Sequence, residues 1–407
     1  MGKDKKITVL YVHANNRDIG GADYCLFKLA SELDKKQFKP IVCLCEQTEI
    51  LELYDDAGIK TYVIDMERIK KSKSPLYIFK LFFRFLPTIK CIMKIIKDEH
   101  VNIVHGNDLL DIYGPLAGRL QKIPVTQYVR WILVNPAWLK RVLTDMVYRI
   151  NDMVLTVSDG VAKEMFSRNG RILSNVATCY DWIDMDKVGH SQKGINIREE
   201  FGIPPKITIV GCVGRLEPWK GQQVFIKAVA EVVKHFPNTI FLVVGGTVEG
   251  RGRETYADHL KSVAKELNVA DKIIFAGHRP DITDVMTALD IFVHSSITPD
   301  PLPGVVMEAM FCRRPVVGAN AGGVPEEVED GKTGILYEPG DHVEMAKAII
   351  KLLEEPSLAR KMGVEGRKRV ESIFNKTDLC ARMENIYKAL VNSRRSILLD
   401  FGNFLWK

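Results

Sequence analysis

The stretch from Asp290 to Gly334 constrains this chain more than any other. Ile291-Phe-Val-His294 is a short apolar run of the buried-strand kind, and Val316-Val317 is a second. Between them Pro301 and Pro303 forbid a continuing helix and Gly304 opens one, for Val305 to Phe311 contains no breaker. A strand, a Pro/Gly-rich loop and a helix start leave backbone N–H groups aimed at open space, and anions settle there.

Two carboxylates sharpen this reading. Asp300 lies in the loop, and Glu308 follows Gly304 by four residues, one turn down the same helix face. A carboxylate at Glu308 accepts both hydroxyls of a ribose. One at Asp300 holds a sugar hydroxyl while phosphate sits on the N–H groups of Gly304, Val305 and Val306. The bland alternative is a solvated Glu308 and an ordinary turn aspartate.

Elsewhere strands alternate with helices. Ile7 to His13 reads as a buried strand, followed by a loop with Gly20-Gly21 and a helix from about Ala22. Val101-Asn-Ile-Val-His105 ends a strand where open α/β sheets place ligands, so His105 is either a substrate contact or a satisfied strand-end histidine. Pro124 to Arg130 is another strand, and Arg130 offers a permanently charged fork suited to a phosphate or an acidic sugar. Ile207 to Val213 leads to Gly214-Arg215, and Lys220-Gly221 precedes a helix from Gln222 to His235. Arg215 and Lys220 flank a strand-to-helix turn, as a diphosphate clamp would, although paired bases in a turn are commonly just solvated. Lys272 to His278 is a further strand, and Thr247 to Glu254 a loop placed to cover a nucleotide.

Four ordered motifs decide between these alternatives. Asp300-Pro-Leu-Pro-Gly-Val-Val-Met-Glu308-Ala-Met resembles the Glu-Pro-Phe-Gly…Glu-Ala-Met signature of retaining GT-B glycosyltransferases, family 4 with the group 1 donor domain. Gly322-Gly-Val-Pro-Glu326, Asp330-Gly-Lys-Thr-Gly334 and Gly214-Arg-Leu…Lys220-Gly221 resemble its other motifs in order. Gly20-Gly21, with Asp23 for the usual Glu, resembles the loop that faces the donor phosphates, and His278 falls where the family holds the base. Arg130 replaces the usual His, and Asp181 and Trp182 depart from the family's hinge.

The resemblance implies two Rossmann-like domains facing across a cleft, with the last helix crossing back to the first. Domains are expected at 1–190 on the acceptor side and 200–375 for the nucleotide sugar, with 190–196 a linker and 376–407 the crossover helix and tail. It implies transfer of a sugar from a nucleoside-diphosphate sugar to an acceptor hydroxyl with retention. Arg215, Lys220, Asp300 and Glu308 would carry the chemistry. Gly20, Gly21, Gly214, His278, Gly304, Val305 and Val306 would help bind the donor. A nucleotide-sugar epimerase, a phosphorylase and a non-catalytic sugar-nucleotide-binding protein are the rivals.

The remaining composition bounds partners and place. A length of 407 residues suggests two domains, and a net charge of +6 without a recognised binding motif argues against nucleic acid. Eight scattered cysteines without a Cys-x-x-Cys pair read as reduced, buried thiols of a cytoplasmic protein. The first residues lead into a strand rather than a secretory leader, and no apolar run is long enough to span a membrane. No metal-ligand cluster appears, and a cationic clamp makes a cofactor or metal unnecessary. Residues 68–97 hold nine Lys or Arg and no acid, interleaved with phenylalanines, and Pro87 is expected to divide this stretch into two helices. The missing acids favour contact with anionic lipid at the inner face of the membrane over a solvated helix pair. They also point to a glycan or lipid-linked acceptor in envelope glycan synthesis. The tail from Arg394 to Lys407, basic then apolar, is a second membrane foot or a cap on the interdomain groove.

Overall fold

The computed structural model describes residues 6–14, 20–67, 74–185, 188, 197–246 and 254–393. The expected 190–196 linker, much of the Thr247–Glu254 loop, the first basic residues of 68–97 and the tail after residue 393 lie outside them. Contacts divide the chain into one unit of Met1–Asp181 with Thr377–Lys407 and another of Trp182–Lys376. The division falls at Asp181, inside the departed hinge motif, rather than at the expected residue 190.

The first unit is built on a parallel sheet. Its strands are β1 (Ile7–His13), β2 (Phe38–Leu44), β3 (Lys60–Val63), β4 (Ile103–Gly106), β5 (Val125–Val129), β6 (Met153–Thr156) and β9 (Val176–Thr178), ordered β3-β2-β1-β4-β5-β6-β9. A short hairpin, β7 (Ser167–Arg168) with β8 (Arg171–Ile172), precedes β9. The continuous apolar run of β1 is buried because helices cover both faces of such a sheet. Leu10, Val12 and Val104 pack with Ile92, Ile95 and Ile96 of the Pro75–Asp98 helix in one core cluster. The Lys376–Asn392 helix completes this unit, burying Tyr387 against Tyr11 and Phe38.

Pro87 does not break the helix around it; a single helix runs from Pro75 to Asp98. A mid-helix proline forfeits the bond to the carbonyl four residues back. Here that residue is Phe83, which is 57% exposed, so the loss falls on the helix's outer face while Ile89 and Ile92 beside Pro87 stay packed in the core. Cys91 on the same helix is exposed, contrary to the buried-thiol expectation, while six of the eight free cysteines are buried.

The second unit repeats the plan. Its strands are β10 (Ile209–Val213), β11 (Ile240–Val244), β12 (Ile273–Gly277), β13 (Ile291–His294), β14 (Val316–Ala319) and β15 (Gly334–Tyr337), ordered β12-β11-β10-β13-β14-β15, all parallel. The direction of winding reverses between β10 and β13. In open α/β sheets ligands bind beyond the carboxyl ends of the strands at that switch. The equivalent reversal in the first unit lies between β1 and β4.

Candidate functional site

The loops after β10 and β13 meet at the second unit's switch point. Beyond β10 the chain turns at Gly214, passes Arg215, and forms a short turn at Pro218–Lys220 before the Gln222–His235 helix. Gly221 caps that turn at φ +70, and a Cβ there would overlap the Ser295 carbonyl, so this glycine is sterically required. Ser295 Oγ donates to the Lys220 carbonyl at 2.7 Å and Ile297 N–H to that of Trp219 at 2.9 Å, locking the two loops together.

Lys220 therefore points at Asp300. Its ammonium lies 2.5 Å from Asp300 Oδ2, which also meets His294 Nε2 at 3.1 Å and accepts from Ser296 Oγ at 3.3 Å. Asp300 is buried, not a solvent-facing turn residue. Burial alone would raise its pKa, but the Lys220 charge and the His294 hydrogen bond hold the carboxyl well below the usual carboxylate range. The Gly322-Gly323 loop backs this carboxylate. Gly323 N–H donates to the Asp300 carbonyl at 2.8 Å, and a Cβ on Gly322, at φ +64, would collide with it.

Glu327, four residues on, is completely buried, and among the described residues neither of its carboxyl oxygens has a hydrogen-bond partner. Burial, then the neighbouring charges of Asp300 and Glu326, push its pKa well above the carboxylate range, so it is held neutral. Neither Glu327 nor His294 stands out in the sequence: His294 closes an apolar strand run, and Glu327 is one of four acids between Glu326 and Asp330, a pattern that reads as a solvated turn.

The second unit's other predicted donor residues lie on the turns beyond β10, β12 and β13. Arg215 is 57% exposed on its side chain and 3.7 Å from Glu217, which also accepts from the Trp219 indole. The turns after β10, β11 and β12 abut: Gly245 N–H donates to the Gly277 carbonyl at 2.8 Å, and Gly246 lies against His278, which is exposed. The Gly304–Phe311 helix begins beyond β13, with open space around Gly304. Gly304 and Val305 head this helix with no intrahelical carbonyl behind their N–H groups. Val306, by contrast, is buried, and its N–H bonds the Pro303 carbonyl at 2.8 Å, so it does not serve as an anion donor. Glu308 is half-buried one turn on.

The first unit's candidates behave differently. His105 is fully buried: Tyr387 Oη lies 2.9 Å from its Nδ1, and the rings of Tyr11, Tyr128 and Tyr387 surround it. Burial first, and then Arg130, push its pKa well down. It is a core histidine bonded through Nδ1, with Nε2 unpartnered among the described residues, and it is not exposed to a substrate. Arg130 spends its fork on Asp181, at 2.9 and 3.0 Å, and on Asn107. Its side chain is only 5% exposed, and burial is outweighed by Asp181, which raises its pKa further. Arg130 and Asp181, two of the departures, are partners, so Arg130 is not open to a phosphate or an acidic sugar.

At this unit's switch point His13 is clamped between Asp111 at 2.8 Å and Asp23 at 3.2 Å. Burial would lower its pKa, but the two carboxylates overcome that and push it up to about 10, so the imidazole is charged. Asp23 also accepts from Gly20 N–H at 2.9 Å, leaving Gly21 as the open position of that loop. Beside it Asp108 is pushed up to about 6 by burial and by Asp111.

Two doubly wound parallel-sheet units with a cation-bearing turn at the second one's switch point define a GT-B protein. Comparisons narrow the class. Residues 19–187 match the model of "Glycosyltransferase Family 4", and residues 195–369 match that of "Glycosyl transferases group 1". The chain belongs to the group 1, family 4 glycosyltransferases. It is 28% identical over 252 residues to a putative glycosyltransferase, YtcC, of Bacillus subtilis, covering 60% of this chain and 61% of that one. It is 27% identical over 213 residues to the N-acetyl-alpha-D-glucosaminyl L-malate synthase of Bacillus anthracis, covering 52% and 53%. The aligned segments thus span between half and two thirds of these relatives. Anabaena HepE, solved with UDP, shares the fold at a TM-score of 0.80 and 23% identity, covering 94% of this chain and all of that one. WaaG, described as involved in lipopolysaccharide biosynthesis, does so at 0.64 and 15%, covering 94% and 99%.

Proposed function

We propose that this protein is a retaining glycosyltransferase that moves a hexose from a nucleoside-diphosphate sugar to an acceptor hydroxyl. The observation that carries the reading is the convergence, beyond β10 and β13, of Arg215, Lys220 and the Gly304 helix start. In the proposed complex Glu308 accepts the ribose hydroxyls, Asp300 a sugar hydroxyl, and the N–H groups of Gly304 and Val305 the phosphate. Arg215 and Lys220 meet the charge that develops on the departing diphosphate. The leaving phosphate oxygen takes the acceptor proton on the same face, so no side-chain base is needed. The binding of UDP by HepE supports a nucleotide in this fold. The basic, acid-free stretch within residues 68–97 and the description of WaaG support an envelope glycan or lipid-linked acceptor.

The test begins with thermal shifts against UDP-, GDP-, ADP- and CMP-sugars, since a ligand that binds only the native state raises its melting point. The donor so found is incubated without acceptor and followed by NMR. Slow hydrolysis to the α-sugar from an α-linked donor is expected. An altered sugar would identify an epimerase, and binding without any turnover, with or without candidate acceptors, would identify a non-catalytic protein.

A further inference from the structure

The Pro75–Asp98 helix does more than cover the first unit's sheet; it overshoots it. At its far end Glu99 accepts from Lys60 Nζ at 2.5 Å and Tyr62 Oη at 2.7 Å, both on β3. Nearer its start, Arg84 donates to Asp65 at 2.8 Å and Thr88 to the Asp65 carbonyl at 3.0 Å, and Asp65 lies just past the end of β3. Residues 84–99 therefore span the sheet. The helix before Arg84 projects past the strands' carboxyl ends by about 13 Å at the usual helical rise.

The overhang carries a stripe that no packing among the described residues explains. Leu76, Phe79, Phe83, Leu86, Lys90, Lys94 and Lys97 follow one another at three- and four-residue steps, which aligns them along one helix face. All are exposed: Leu76 64%, Phe79 59%, Phe83 57% and Leu86 65%, with Phe82 beside them at 75%. The phenylalanine rings brace one another, with centroids 4.2 Å apart for Phe79–Phe83 and 5.4 Å for Phe82–Phe83. The stripe is thus apolar on the overhang and basic over the sheet. Trp131, just past β5, and Trp138, in the first turn of the Ala137–Ile150 helix, are 41% and 68% exposed at the same end of the sheet.

Charge and shape select the occupant. The helix has no acid before Asp98, and Arg84, turned onto Asp65 and Glu67, is spent within the fold; Lys80, Lys90, Lys94 and Lys97 remain outward. A convex apolar prow flanked by lysines and tryptophans matches the headgroup–acyl boundary of an anionic bilayer, whereas a protein partner would need a groove to receive it. Among the described residues no helix is long and apolar enough to cross a membrane, so the contact is with one face. We infer that the overhang inserts Leu76, Phe79, Phe82 and Phe83, together with Leu86 in the turn that follows it, into the surface of an anionic phospholipid bilayer, with Trp131 and Trp138 at the headgroup level and the lysines on lipid phosphates. The inference does not depend on the proposed reaction, since it requires no donor.

Co-sedimentation of the whole protein with phosphatidylcholine vesicles, with and without about a third of phosphatidylglycerol, tests it. Binding is expected only with the anionic lipid and is weakened by high salt. The Phe79→Ser, Phe82→Ser, Phe83→Ser triple variant should lower the partition coefficient by more than about tenfold. Lys90→Glu with Lys94→Glu should lower it by roughly fivefold or more per residue. Both variants alter exposed positions, and a circular-dichroism melt confirms that each is folded. Three results would overturn the inference: no preference for anionic vesicles, wild-type binding by the lysine pair, or a wild-type dimer that the triple variant dissociates. The last would make the prow a contact between copies of this chain.

Discussion

Asp300→Asn is the sharpest perturbation of the candidate site. The wild-type carboxylate is buried, 2.5 Å from Lys220, whose own side chain is 17% exposed. Losing one partner of a buried pair costs about 3–5 kcal/mol, because the other charge is left without compensation. Asparagine still offers an oxygen to Ser296 and to His294, so the lower end, about 3 kcal/mol, applies. For a unit the size of Trp182–Lys376, each kcal/mol shifts the melting temperature by roughly 2–4 °C, giving a fall of about 6–12 °C. The acid limb should change too. A carboxyl whose folded pKa lies below its ordinary 3.8 contributes stability that is present above that pH and lost as pH falls further. Wild type should therefore lose stability steeply below about pH 4, and Asp300→Asn should lack that component. Thermal melts followed by circular dichroism from neutral pH downward read both effects without any ligand. Adding Lys220→Met removes the stranded cation, so the double variant should melt higher than Asp300→Asn alone. A shift under about 1 °C for the single variant, or strictly additive losses in the double, would refute the pairing argument.

Four further outcomes follow from the same geometry. Glu308→Ala should weaken the nucleotide sugar about 10- to 100-fold, the worth of a hydrogen-bonded carboxylate, measurable by calorimetry; unaltered affinity would remove Glu308 from the site. Gly322→Ala places a methyl against the Asp300 carbonyl at a left-handed φ, so it should cost at least about 1–3 kcal/mol, and a variant as stable as wild type in urea would contradict that contact. His13, raised to about 10 by its two aspartates, contributes stability that is full below its ordinary 6.5 and lost as pH rises through 10. His13→Gln should flatten that alkaline loss, and an identical alkaline limb would count against the charged imidazole. Arg130→Lys replaces a two-pronged contact with Asp181 by a point charge; a lower melting temperature is expected, and equal stability would show that the fork is dispensable.

Much of the architecture was legible because it is written locally. Runs such as Ile291-Phe-Val-His294, bounded by proline and glycine, fix a strand, a loop and a helix start within a dozen residues, and the structure has β13 and the Gly304–Phe311 helix there. What was illegible depends on pairings distant in sequence. Lys220 and Asp300 are 80 positions apart, His13 and Asp111 98, and Arg130 and Asp181 51. No local pattern announces such a partner, so Lys220, Asp300 and Arg130 were read as available when they are already engaged, and His13 and Asp111 drew no notice. The break expected at Pro87 failed for another reason: one internal proline costs a single helical bond, here beside the exposed Phe83, while Ile89, Ile92, Ile95 and Ile96 of the same helix remain packed in the core and hold it together.

The Lys220–Asp300 pair also changes how the proposed clamp must work. Two cations in one turn suggest a site of net positive charge, but Glu217 lies beside Arg215 and Asp300 beside Lys220, so the side chains nearly balance. A diphosphate arriving here does not simply fill a cationic hole; it competes with Asp300 for the Lys220 ammonium. Because Asp300 is also held by His294 and Ser296, it has partners to fall back on when Lys220 turns to phosphate. Arg215, half-exposed and only loosely held at 3.7 Å from Glu217, moves at less cost. On this reading Arg215 makes the first contact with the donor, while Lys220, kept in place by Asp300, is the cation poised for the charge that grows on the leaving phosphate. Arg215→Ala should then act mainly on donor affinity and Lys220→Ala mainly on turnover. The reverse division in steady-state kinetics would overturn that assignment while leaving the site itself intact.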